Sequence, residues 1–121
     1  MLINFTNHPF DKWTNKQKEE ALEQYEEVKD LSFPEVNPEG DEEYIQQLAD
    51  RYLKIILEFR KSDKNFAVHI QGEFTLVYCV VSLLKEYGIK CIASTTRRVV
   101  SENPDGTRTY RFEFVRFREY V

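Results

Sequence analysis

Two polar clusters stand where apolar, strand-like runs stop: Gln71-Gly72-Glu73-Phe74-Thr75 and Ser94-Thr95-Thr96-Arg97-Arg98. In an open α/β sheet, segments leaving the carboxyl ends of neighbouring strands line one crevice, so both clusters can face a single ligand. Their chemistry suits a phosphate. Ser94, Thr95 and Thr96 offer three hydroxyls, and Arg97 and Arg98 offer guanidinium forks fitted to bidentate contact. Gly72 permits close approach of backbone, and the helix expected after it presents free amides to an anion. Glu73 in that first turn opposes an anion and fits either dipole complementation or proton transfer. The same residues also occur in plain turns and in the hydroxyl ladders of a solvated β-edge. Gln-Gly-Glu is far from a Walker loop or a dinucleotide fingerprint.

His8 and His69 are the chain's two histidines, the side chains that titrate near neutral pH without help. His69, between Val68 and Ile70, reads as a core histidine with its hydrogen bonds satisfied. His8, after a first strand and before Pro9, is the candidate for the crevice. The alternation of Tyr110, Phe112 and Phe114 continues to Arg116 and Arg118, placing core aromatics and then two arginines on one strand face, where the arginines could reach a phosphate or a partner subunit.

The elements that must hold these residues can be read along the chain. Leu2 to Thr6 is a short strand. Thr14-x-x-Gln17 has capping-box spacing, which starts a helix over 14–25. Val28 to Phe33 is a second strand, and Pro34, Pro38 and Gly40 mark an irregular loop. Asp41 is an N-cap, and Ile45, Leu48, Ala49, Tyr52, Leu53, Ile56 and Phe59 give a helix to about Lys61. Phe66 to Ile70 is a buried strand. Glu73 to Tyr87 is a helix that is apolar nearly all round, with Gly88 as its C′ residue. Ile89 to Ala93 is a fourth strand, and Val99–Ser101, the Asn103-Pro104-Asp105-Gly106 turn and Thr107 to Phe117 form an antiparallel hairpin. This order predicts one Rossmann-like α/β domain over residues 1–121, a three-layer sandwich with a mostly parallel sheet and a C-terminal antiparallel hairpin.

Composition narrows the function classes. The 121 residues are 41% hydrophobic and 31% charged, as in a globular protein. A net charge of −4 argues against general DNA or RNA binding, which needs a broad cationic surface. The charge is uneven, with residues 97–121 carrying six of the eight arginines, so a compact anion should meet this end. Cys79 and Cys91 lack metal-ligand spacing and read as buried thiols in a reducing compartment. No apolar run approaches membrane-spanning length and no leader pattern opens the chain, so a cytoplasmic protein without membrane attachment is expected.

Ile70-Gln71-Gly72-Glu73-Phe74, the run Ala93-Ser94-Thr95-Thr96-Arg97-Arg98 after Gly88-Ile89, and the ending Phe114-Val115-Arg116-Phe117-Arg118-Glu119-Tyr120 resemble small CRISPR-associated accessory proteins of type III systems. Those proteins resemble a reduced CRISPR-associated Rossmann-fold sensor domain, and members are assigned as ring nucleases. The resemblance covers the chain from Phe66 onward. It implies a cyclic oligoadenylate ligand, cyclic tetra-adenylate foremost, opened without metal or cofactor by attack of a ribose 2′-hydroxyl on its own phosphate. Under it, Gln71, Gly72, Phe74 and Thr75 belong to a phosphate cradle at the start of the third helix, and Ser94, Thr95 and Thr96 orient the phosphate. Arg97 stabilises developing charge, with Arg98 and Arg116 as further ligand contacts, and His8 or Glu73 moves protons. A two-fold ring implies a homodimer. The alternative is a non-catalytic nucleotide-binding or regulatory accessory protein using the same crevice.

Overall fold

The structure, a computed structural model, describes residues 1–61 and 64–121. Five strands, β1 (Leu2–Thr6), β2 (Val28–Ser32), β3 (Ala67–Ile70), β4 (Lys90–Glu102) and β5 (Arg108–Glu119), form one sheet in the order β2-β1-β3-β4-β5. The first four run parallel and β5 returns antiparallel to β4. Helix α1 (Asn15–Tyr25) covers one face, while α2 (Glu42–Arg60) and α3 (Phe74–Glu86) cover the other. This is the expected three-layer α/β architecture, with the antiparallel hairpin at its edge.

Local chemistry accounts for the boundaries. Thr14 and Asp41 cap α1 and α2, their side chains accepting from the amides of Gln17 and Tyr44. At the end of α3, Gly88 takes φ of 71°, and the amides of Gly88 and Ile89 return to the carbonyls of Lys85 and Leu84. That left-handed closure is what the sequence reading assigned to Gly88. Glu26, directly after α1, also has a positive φ of 67°, but with ψ of −36°, where the Glu27 amide closes a three-residue turn on the Tyr25 carbonyl.

Strand alternation separates two cores. Ile3, Phe5, Val68, Ile70 and Cys91 turn toward α2 and α3, where Leu53, Ile56, Leu76, Val80 and Leu84 complete a fully apolar layer. Leu2, Ala67 and Ile92 turn toward α1 and meet Ala21, Tyr25, Trp13, Phe114 and Phe117. Cys91 is buried, which pushes its thiol up to about 12, while Cys79 is half-buried; both are free thiols.

The sequence reading broke β4 after Ala93 and made Ser94–Arg98 a segment leaving the strand. Instead β4 runs unbroken for 13 residues, because each of these β-favouring residues pairs with β5. β3 supports β4 only at Lys90, Cys91 and Ile92, so the rest of the hairpin stands out from the sheet as a two-stranded ribbon. A register shift between Thr95 and Thr96 leaves Val115 as the extra residue of β5. It also overturns the strict alternation expected for β5. Phe114 and Phe117 both face α1, whereas Arg116 does not continue the aromatic row.

Candidate functional site

Parallel register places Asn4 of β1 opposite His69 of β3, and Ser94 of β4 lies just beyond the last β3–β4 pair. All three point to the α1 face, two residues further along their strands than Leu2, Ala67 and Ile92. At these positions the apolar layer gives way to hydrogen bonds. Here β1 and β3, whose onward connections run to opposite faces, lie side by side. Their carboxyl ends therefore form the place where an open α/β sheet receives ligands.

The network has one self-consistent proton arrangement. Asn4 Nδ2 donates to the His8 carbonyl (2.9 Å) and to Asp30 Oδ1 (2.8 Å), which turns Asn4 Oδ1 toward His69. His69 Nδ1 lies 2.9 Å from that oxygen and must carry the proton. Nε2 is then an acceptor, 2.7 Å from Ser94 Oγ, so the Ser94 hydroxyl donates to it. Gln17 Nε2 donates to the same Ser94 oxygen at 3.0 Å. Thr6 Oγ1 closes the far side, donating to Asn4 Oδ1 at 2.9 Å.

His69 is 2% exposed, and its ring is held edge-on by Trp13 (5.2 Å between centroids) and Phe117 (5.6 Å). Burial lowers its pKa from 6.5 to about 4, an effect that Gln71 opposes and His8 reinforces. The imidazole is therefore neutral at physiological pH. Above it opens a cleft of about 660 Å³, lined by Thr6, His8, Gln17, His69, Ser94 and Phe112 among others. Thr14 and Gln17 belong to the same lining, so the positive end of α1 borders it.

The residues singled out from sequence divide clearly. Ser94, Thr96, Gln71, Gly72 and His8 line this cleft. Gln71 also joins β3 to β4, exchanging side-chain hydrogen bonds with the Ser94 backbone at 3.3 and 3.4 Å. Gly72 has a packing reason for its lack of a side chain, since a Cβ would stand 2.5 Å from the Phe33 ring. Arg98 is not part of the cleft lining, but it lies on the ribbon face that bears Phe112, its guanidinium 4.4 Å over the Tyr110 ring.

The other residues lie elsewhere. Arg97 sits opposite Glu113 on the reverse face of the ribbon, and is not part of the cleft lining. Glu73 is the N-cap of α3, accepting from the Thr75 and Leu76 amides and from the Thr75 hydroxyl. Those bonds, the Leu76 amide first, hold its carboxyl below the usual carboxylate range. The phosphate cradle expected at this helix start is thus filled by the chain's own carboxylate. Thr95 is spent on the bulge, its hydroxyl bonded to the carbonyl and amide of Arg116. Arg116 borders a separate shallow cleft with Glu20, Gln24 and Glu119. Phe74, 89% exposed, lines an apolar cleft on the opposite side of Gln71 and Gly72, together with Tyr78, Val81 and Tyr120.

Sequence reasoning missed Asn4 and Gln17 and assigned His69 to the core. The signal was present as two polar residues, Asn4 and His69, each at the third position of a strand and flanked on both sides by apolar residues. A buried polar residue must find a partner, and two in adjacent parallel strands can supply each other. Gln17 was hidden by its capping-box spacing. Its amide nitrogen is indeed bonded to Thr14 Oγ1 at 3.3 Å, but its side chain serves Ser94 rather than the helix start.

A family model described as "Uncharacterized protein MJ1673 family" matches residues 1–118, and the chain belongs to that family. No curated protein and no solved structure gives a significant match. Among the described residues, no helix is long and apolar enough to cross a membrane.

Proposed function

We propose that this chain is a CRISPR-associated ring nuclease that binds a cyclic oligoadenylate in the His69–Ser94 cleft and linearises it. The observation that carries the reading is the hydrogen-bonded chain Asn4–His69–Ser94, which ends on a hydroxyl at the cleft surface. A ribose 2′-hydroxyl placed against Ser94 Oγ would lose its proton to that oxygen as Ser94 passes its own to the neutral His69 Nε2. The freed 2′-oxygen then attacks the adjacent phosphorus in line, leaving a 2′,3′-cyclic phosphate and expelling the 5′-oxygen, which takes a proton from water as the alcohol while His69 returns its own proton to solvent. Positioning and charge stabilisation carry such a reaction.

Arg98 takes the role that sequence alone gave to Arg97, because it shares the ribbon face with Phe112 and Thr96. Phe112, 68% exposed at the cleft wall, offers a ring on which an adenine can stack. A homodimer belongs to the proposal. The apolar cleft carrying Phe74 and Tyr78 shares Gln71 and Gly72 with the polar one, so a second copy seated there would bring two polar clefts together across a two-fold axis.

The test is incubation of the purified protein with cyclic tetra-adenylate in EDTA, with products resolved by chromatography. Linear product is expected, and Ser94→Ala should slow its appearance by roughly 10²-fold or more. Tight binding with the ring recovered intact would reduce the protein to a nucleotide-binding module. Absence of binding would remove both.

A further inference from the structure

The His69 cleft is lined by Thr6, Gln17, Ser94, Thr96 and Phe112 among others, and its lining includes no Asp, Glu, Lys or Arg. Within that mostly uncharged wall sits a nucleophile, a base and a group orienting the base, at 2.7 and 2.9 Å. Behind the orienting Asn4 stands the Asp30 carboxylate, 2.8 Å from the Asn4 amide nitrogen. The order Asp30–Asn4–His69–Ser94 fixes the imidazole tautomer that can take a proton from serine. Trp13 and Phe117 prevent the ring from turning away.

We infer that Ser94 is itself an activated nucleophile and that the cleft turns over small, uncharged carboxylic esters. This inference does not rest on the cyclic nucleotide, and it concerns an oxygen that the ring-opening reading uses only as a proton relay. In the acylation step the Ser94 Oγ–H bond breaks, its proton passes to His69 Nε2, and Oγ bonds to the ester carbonyl carbon. The tetrahedral oxyanion then collapses, and the leaving alkoxide takes the proton from Nε2 and departs as the alcohol. Water repeats the sequence against the acyl-serine, with His69 as its base, releasing the carboxylic acid and restoring Ser94. The Thr96 hydroxyl and the positive end of α1 border the cleft and can meet the developing negative charge. Phe112 and Phe114 supply an apolar wall for the acyl chain.

An alkyl fluorophosphonate tests this directly, because it traps an activated serine covalently and carries no nucleotide. Intact-mass analysis and peptide mapping should find one adduct, on Ser94. It should be absent in Ser94→Ala and slowed at least 100-fold in His69→Gln, with p-nitrophenyl acetate hydrolysis falling in parallel. No adduct, an adduct on another residue, or labelling as fast in folded His69→Gln as in the parent overturns the inference. Should His69→Gln not fold, Ser94→Cys supplies the measurement. At pH 7 its thiol should be alkylated by iodoacetamide at least tenfold faster than Cys79, and equal rates overturn the proposal. Ring cleavage without a Ser94 adduct would leave the ring-nuclease reading standing and remove this one.

Discussion

The two faces of the sheet are written into the same strands by alternate residues, yet they end differently. Under α2 and α3, Ile3, Phe5, Val68 and Ile70 keep the layer apolar to the ends of the strands. Under α1, Leu2, Ala67 and Ile92 begin an equally apolar layer, and one step along each strand Asn4, His69 and Ser94 replace it with a connected polar network. The number of covering helices follows this division. Two helices cover the first face, whereas the single α1 leaves the carboxyl ends of the second open to a polar cleft. A candidate site is thus obtained from a core by shortening the cover and exchanging three side chains in register, with the connections after β1 and β3 completing its wall.

The faces should respond to substitution in opposite currencies. Phe5→Ala, which empties a fully buried position stacked on Tyr52 and tilted against Phe33, each with centroids 4.9 Å apart, is expected to destabilise the fold by about 3–5 kcal/mol. Ser94→Ala leaves the buried His69 Nε2 without its partner and should cost less, about 1–3 kcal/mol, while slowing cleft chemistry by roughly 10²-fold or more. Denaturant melts and activity assays on both variants measure the contrast. A large stability loss in Ser94→Ala would make the network a structural element instead.

Acid should act mainly on the α1 face. His69 accepts a proton at about 4 when folded and at 6.5 when free, so between those values the unfolded chain binds more protons. Stability therefore falls as pH drops from 6.5 toward 4, by up to on the order of 3 kcal/mol, and this contribution changes no further below that window. Melts of the parent and of His69→Gln across the window isolate it from the carboxylates, because only the parent should show this part of the decline.

Gly72 sits where the faces meet. Gly72→Ala drives a Cβ into the Phe33 ring and is expected to cost about 1–3 kcal/mol. Phe33→Leu in the same chain should recover part of that loss. Recovered stability without recovered activity would show that Gly72 also serves a ligand. The smallest effect expected is at Glu26, where glycine in place of a residue strained at positive φ should stabilise by about 0.5–1 kcal/mol, read as a rise in melting temperature.

Much of the architecture was legible because it rests on local rules. Thr14, Asp41 and Gly88 mark helix ends by backbone chemistry that any context preserves, and the apolar stripe from Ile45 to Phe59 needs only periodicity. The site was legible only in part. Ser94, Gln71 and Gly72 were found because strand ends converge, but the choice between Arg97 and Arg98 depends on which face of β4 each occupies. That face could not be known while Ser94–Arg98 was read as a segment leaving the strand. The bulge at Val115 likewise depends on pairing with β4, and it reassigns Phe117 to the site's wall and Arg116 away from it. His69 is the buried, fully hydrogen-bonded histidine that the sequence implied, and only its partners Asn4 and Ser94, which depend on strand register, were out of reach.

The ribbon has a consequence for the behaviour of the protein at high concentration. β5 is an edge strand 12 residues long, and such an edge offers unpaired backbone groups to any other extended chain. Arg108, Arg111, Glu113, Arg116, Arg118 and Glu119 space charge of both signs along its whole length, and the Val115 bulge bends it midway. Charge and curvature are the means by which sheet edges avoid templating fibres. The arginines that first suggested a ligand thus also keep one molecule's edge from becoming the next molecule's strand.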